Sequence, residues 1–149
     1  VLKNIDLPQS LDSPHAIFLT DMQTGRREKL YAYARRADVL WSPASDALAI
    51  NDWESNDDSQ CVVFSNLPSL GRTDLREELL KSGRPDMEKK LAADHVNYDH
   101  NFAHVMRWLD PRTVLFVVQG RNADGRRNFQ LVYTYRLGDT FRLIRRVIR

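Results

Sequence analysis

The sequence predicts a mainly β protein: two blade-like antiparallel β-meander sheets, propeller-like or sandwiched, with a two-helix insertion between them. Three observations carry this. A unit of apolar strand, Trp, Pro, polar turn and second strand occurs twice, first as Asp38-Val-Leu-Trp-Ser-Pro43 and Ala47 to Trp53, then as His104-Val-Met-Arg-Trp-Leu-Asp-Pro111 and Thr113 to Gln119. Each copy is followed by another apolar strand, Gln60 to Ser65 in the first and Phe129 to Leu137 in the second. Between the copies alone, the apolar period lengthens from that of a strand to that of a helix.

In chain order, Ala16 to Asp21 and Lys29 to Tyr33 read as strands joined at Thr24-Gly25, a hairpin signal. The first Trp-Pro strand, its partner Ala47 to Trp53, an acidic loop and Gln60 to Ser65 complete a first β unit over residues 16–67. In the last of these strands Val62 and Phe64 lie on one face and Cys61 and Val63 on the other, so both faces are expected to be covered. Thr73 is the expected cap of a helix through Lys81, with Leu75, Leu79 and Leu80 on one stripe and Gly83 ending it. Pro85 suits the first turn of a second helix, Asp86 to about His95, with Met87 and Leu91 in register. The insertion, residues 73–96, is expected to lie outside the sheets. A second β unit over residues 102–149 follows, with a turn signal at Asp124-Gly125. Phe141 to Arg149 fits a helical stripe as well as a strand, and Gly138-Asp139 tips it toward a strand.

At 149 residues and 42% hydrophobic content, the chain can bury the core of one ordinary domain without a metal or disulfide staple. No apolar run approaches the roughly 18 residues of a membrane-spanning helix, and Val1-Leu-Lys-Asn4 lacks the regions of a signal peptide. A first residue other than Met is consistent with a removed leader, so an exported origin is expected alongside a cytoplasmic alternative. Cys61, alone within an apolar strand, has no intramolecular disulfide partner and reads as a core residue. Charge is segregated: residues 1–100 carry 12 Lys and Arg against 17 Asp and Glu, net −5, whereas residues 101–149 carry 10 Arg against 3 Asp, net +7. Between Ala37 and Gly71 there is no Lys or Arg at all. Either the halves meet electrostatically or each faces a partner of opposite charge.

The order Ile17-Phe-Leu-Thr-Asp21, Thr24-Gly25, Trp41-Ser-Pro43, Ala47-Leu-Ala49 and Val62-Val-Phe64 resembles the blade repeats of TolB-type β-propellers. The match covers residues 16–67, and a weaker one covers 103–147, where Trp108-Leu-Asp-Pro111 replaces Trp-Ser-Pro. Ala44-Ser45 stands where the family has Asp-Gly. Closed propellers use about four or more blades, so the resemblance implies blade-like meanders rather than a whole propeller, stacked as a sandwich or completed by a second chain in a homodimer. It also implies an exported, periplasmic bacterial protein that binds other proteins, such as an inhibitor or toxin-neutralising immunity protein.

Four polar constellations compete for a function. His95, Asp99, His100 and His104 could gather a divalent transition metal, although their spacing matches no standard motif and such residues also favour irregular backbone at a helix exit. The loop Asp52, Trp53, Glu54, Asp57 and Asp58 places oxygens at alternate positions, but lacks the Gly and bidentate Glu of a calcium loop and reads instead as an acidic surface for a basic protein. Trp53 beside it is the expected surface anchor, whereas Trp41 and Trp108, at equivalent repeat positions, are expected in the core. The arginines from Arg121 to Arg149 raise nucleic acid as a partner, but half the chain is acidic and no recognition helix or stacking motif accompanies them, so docking to an acidic protein or pairing with the acidic loop ranks at least as high. No nucleophile elbow, Cys-His signature or phosphate-binding Gly loop is present, and His95, Asp99 and Ser65 are not brought together by any pattern. The sequence reading is therefore a non-enzymatic protein-binding module without a cofactor, with a metal-dependent enzyme as its rival.

Overall fold

A computed structural model describes residues 2–5, 15–56, 58–67, 71–81, 100–121, 126, 128–138 and 141–148, with the backbone alone at 2–5, 80, 100, 101, 141, 143, 146 and 148. The described strands are β1 (Leu2–Ile5), β2 (His15–Thr20), β3 (Arg27–Tyr33), β4 (Arg36–Trp41), β5 (Leu48–Trp53), β6 (Gln60–Ser65), β7 (Gly71–Asp74), β8 (His100–Asp110), β9 (Thr113–Arg121), β10 (Asn128–Arg136) and β11 (Phe141–Ile148). One helix, α1 (Leu75–Lys81), follows β7. Pairing is antiparallel throughout and makes three open sheets, β1-β2-β3, β4-β5-β6-β7 and β11-β10-β9-β8.

The mainly β expectation holds, and the second and third sheets are four-stranded meanders. The first unit is divided differently from the expected residues 16–67. The hairpin at Thr24-Gly25 forms, with Gly25 at φ 71° and Asp21 Oδ1 accepting from the Gln23 amide at 2.8 Å. However, β2 and β3 leave the Trp-Pro strands and build their own sheet with β1, and the four-stranded meander runs over residues 36–74. Its fourth strand is β7, whose last two residues, Thr73 and Asp74, were expected to open the helical insertion.

The middle sheet is covered on both sides, as the parity of β6 requires. Leu48, Ile50, Val62 and Phe64 pack with Ile17 and Tyr33 of the first sheet. Ala49, Cys61 and Val63 pack on the opposite face with Leu75 and Leu79 of α1 and with Ala103, Val105, Phe116, Leu131 and Tyr133 of the third sheet. The three sheets are therefore successive layers around two apolar cores. Burial pushes the Cys61 thiol up to about 12, which keeps it protonated and inert.

The expected insertion needs two corrections. α1 begins one residue later than expected, because Thr73 pairs with Val63 in β7 and Asp74 is the cap, its Oδ1 accepting from the Arg76 and Glu77 amides at 3.0 and 3.1 Å. Nor does α1 stand outside the sheets: Leu75 and Leu79 belong to the core between the second and third sheets. The second expected helix, residues 86–95, falls outside the described residues.

Trp41 corrects the symmetry of the two copies. It is 37% exposed, whereas Trp108 is half-buried against the core and donates its indole N–H to the Leu40 carbonyl at 3.0 Å. Trp41 has the parity of Val39, which faces the first sheet, but it is the last residue of β4 and does not join the apolar cluster that Val39 packs against. Phe141–Ile148 is a strand, paired with β10 across a bulge at Val132/Tyr133.

Candidate binding surfaces

The third sheet docks on the second through an edge. β8 lies at the margin of its sheet, so every second amide and carbonyl points away from β9. Asn51 and Ser59 supply the missing partners. Asn51 Oδ1 accepts from the Val105 amide and its Nδ2 donates to the Val105 carbonyl, both at 2.8 Å. The Ser59 hydroxyl accepts from the Ala103 amide at 2.8 Å and donates to the Ala103 carbonyl at 3.1 Å. Two buried polar side chains thus imitate a neighbouring strand. Nothing in the sequence reading anticipated this, although a polar Asn51 directly after buried Leu48-Ala-Ile50 is a signal that a core partner is needed.

The expected acidic recognition loop is largely occupied by its own chain. Asp52 is only 3% exposed and accepts from the Tyr31 hydroxyl at 3.0 Å, so it belongs to the interface of the first and second sheets rather than to an exposed loop. Burial raises its carboxyl above the usual range, and Asp52 Oδ1 has no hydrogen-bond partner among the described residues. Desolvation and the neighbouring Asp52 carboxylate in turn push the Tyr31 phenol well above its ordinary value. Asp58 meets Arg76 of α1 at 2.8 Å, and Asn56 accepts from Arg35 at 3.0 Å. Glu54 remains exposed, with its carboxyl raised by desolvation and then by Asp52 and Asp58. Asp57 lies outside the described residues. Across the charge-segregated halves, Arg112 reaches Asp46 at 3.2 Å and Asn66 at 3.2 Å, tying the two repeat turns together.

Trp53, expected as a free anchor, is half-buried and spoken for. Its indole N–H donates to Asp38 at 2.8 Å, and its ring lies 5.4 Å from that of His104 and 6.1 Å from that of Phe102, filling the junction of β5 and β8. His104 therefore packs against the Trp53 ring. Burial holds its imidazole below the ordinary value, and its Nδ1 is buried without a partner among the described residues. His95 and Asp99 lie outside the described residues, His100 is described by its backbone in β8, and no group of three metal-ligating side chains occurs among the described residues. No described helix is long and apolar enough to cross a membrane.

The remaining free chemistry sits on the third sheet. β11 is its outermost strand, and among the described residues nothing pairs with its outer edge. Ile144 on it is 52% exposed, and Arg142 and Arg145 are exposed without an ion pair among the described residues. Across the sheet, Phe102, Gln119, Gln130 and Val147 form one cross-strand row, and His104, Val117, Val132 and Arg145 form the next on the same face. The sequence reading noticed the arginines but not the row of amides and Phe102, which differs from the core face only in parity.

Comparison with protein-family models, with curated protein sequences and with solved structures returns no match to this chain.

Proposed function

We propose that this chain is a non-enzymatic protein-binding module that captures an acidic, extended segment of another protein along β11. The observation that supports it is an eight-residue edge strand whose outer side is unpaired among the described residues, carrying exposed Ile144 between Arg142 and Arg145. Edge strands offer a row of free amides and carbonyls to a partner strand, and side-chain chemistry on that edge selects which one. Charged edges also serve to prevent aggregation, but that role alone does not account for Ile144 standing exposed among them. Charge chooses the occupant: pairing β11 with its copy in a second chain would set arginines against arginines, whereas a Glu-rich strand complements them. This replaces the basic partner expected at the Trp53 loop, because Asp52 and Asp58 are taken up internally. Sequestering one partner in an inhibitor- or immunity-type role, outside the cytoplasm, is the form that the blade-repeat resemblance implies.

The test is amide-resolved NMR titration with a peptide of alternating Glu and Val. Shifts confined to β11 and β10, weakening as salt rises and abolished by Ile144→Glu at unchanged thermal stability, support the reading. Shifts elsewhere, equal binding of a Lys-Val peptide, or no binding at low salt overturn it.

A further inference from the structure

Beside β11 the third sheet forms a partly open cavity of about 470 Å³, lined in part by the last residues of β9 and the first of β10. That volume lies within the range of small-molecule sites, roughly 300–1,000 Å³. Its lining divides into two kinds of chemistry. Arg121 and Arg145 contribute guanidinium groups that, among the described residues, have no ion pair or hydrogen bond, and none of the described lining residues is a carboxylate. Phe102, Phe129 and Val147 contribute apolar surface. Between them, Gln130 Nε2 donates to Gln119 Oε1 at 3.2 Å, which orients both amides and leaves the Gln119 amino group and the Gln130 carbonyl with hydrogen-bonding capacity to spare.

Guanidinium groups left without counter-charge in a concave site favour an oxyanion, which they bind by paired hydrogen bonds. Desolvating two cations without an anion is unfavourable, so the same cavity disfavours a wholly neutral occupant. The apolar and amide lining is wasted on a bare inorganic ion. We propose that this cavity is a binding site for a small organic anion, a planar apolar body carrying a carboxylate, sulfonate or phosphate, with Arg121 and Arg145 holding the oxyanion and Phe102 and Val147 flanking the body. The site shares Arg145 with strand capture but not Ile144, on which strand capture depends and which is not among the described residues lining the cavity.

The experiment is fluorescence titration of the native protein with 8-anilinonaphthalene-1-sulfonate, alongside its neutral counterpart N-phenyl-1-naphthylamine and inorganic phosphate as competitor. The expected result is saturable binding of one sulfonate probe per chain, at least tenfold weaker binding of the neutral counterpart, and displacement by phosphate. The double variant Arg121→Gln/Arg145→Gln loses at least tenfold in affinity with an unchanged unfolding midpoint, and Phe102→Ala weakens the probe without changing the affinity for phosphate. Ile144→Glu leaves probe binding intact, so failure of strand capture and failure of this site are distinguishable. Equal binding of charged and neutral probes, several probes per chain, or undiminished affinity in the folded arginine variant overturns the proposal.

Discussion

The middle and third sheets are the same four-stranded meander built twice, yet they bury their strands differently. In β5 five successive residues, Leu48 to Asp52, are buried, and in β6 Cys61 to Phe64 are. In β9 and β10 the inward residues Val114, Phe116, Val118, Leu131, Tyr133 and Tyr135 alternate in part with half-buried Leu115, Gln119, Gln130 and Thr134. A strand between two layers has no solvent side and reads as a continuous apolar run, whereas a strand of an outer layer keeps positions free for polar chemistry. The difference also explains the charge segregation. A two-sided strand has little room for a cation that must be desolvated, and the middle sheet accordingly has no Lys or Arg from Ala37 to Gly71, while the arginines gather on the last strands of the third.

The sharpest way to break this comparison is to truncate polar side chains in each of the two settings. Asn51→Ala leaves the Val105 amide and carbonyl buried without partners, at roughly 1–3 kcal/mol for each group. Ser59→Ala does the same to Ala103. In the third sheet Gln119→Ala removes one part-buried amide contact and is expected to cost about 1 kcal/mol or less. Urea unfolding midpoints measure both, and faster hydrogen exchange at Val105 in the Asn51 variant locates the damage. Equal costs would mean that β8 does not depend on its side-chain imitation of a strand.

The repeat was legible in the sequence because meander strands are local in sequence and announce themselves by parity and by turns. Both faces of β6, the β2–β3 hairpin and the strand at Phe141–Ile148 follow from such local signals. Partition of strands among sheets is not local: nothing within Ala16 to Tyr33 says that it will pair with Leu2–Ile5 rather than with Arg36–Trp41. The candidate site suffered from the same limit. Asp52 and Glu54 look alike in a sequence and share a parity, but Asp52 lies within β5 against Tyr31, whereas Glu54 stands past the end of the strand in solvent. Likewise Thr73 and Asp74 are both good caps, and the extra pairing of Thr73 with Val63 decides between them.

The two Trp-Pro copies provide a second contrast. Trp108→Ala removes a half-buried ring and its bond to Leu40, so it should cost about 2–3 kcal/mol, below the 3–5 kcal/mol of a fully enclosed aromatic. Trp41→Ala should cost less, about 1–2 kcal/mol, because 37% of the residue already stands in solvent. Thermal unfolding of both variants checks this. Equal losses would restore the symmetry that the exposure of Trp41 argues against.

Titration separates the two interfaces of the middle sheet. Burial lowers the His104 imidazole, so its contribution to stability is complete above its ordinary value of 6.5 and is lost as pH falls through the folded value. Asp52 has the opposite sign: its carboxyl is raised, so its contribution is present below the ordinary 3.8 and is lost as pH rises through the folded value. Stability should therefore fall between pH 7 and pH 5, and His104→Asn should flatten that fall. Asp52→Asn should help most at neutral pH, with its advantage shrinking on acidification. Denaturant midpoints across pH 4–8 read both, and an unchanged slope in the His104 variant would remove the junction with Trp53 as its source.

The smallest effect belongs to the acidic loop, and it decides where that loop's charge goes. Asp58 and Arg76 meet at 2.8 Å but are 44% and 35% exposed at their side chains, so water and salt screen the pair. Asp58→Asn retains an oxygen for the Ser59 amide, which Asp58 Oδ1 holds at 2.9 Å, and removes the charge alone. A double-mutant cycle with Arg76→Gln should therefore give a coupling of about 0.2–1 kcal/mol that fades at high salt. If Asp58 instead coupled to Arg145 and not to Arg76, the loop would be neutralised by the third sheet, and Arg145 would no longer be free to hold an anion. A coupling confined to Arg76 leaves the β11 arginines without an internal counter-charge from this loop, which is the condition that both strand capture and anion binding require.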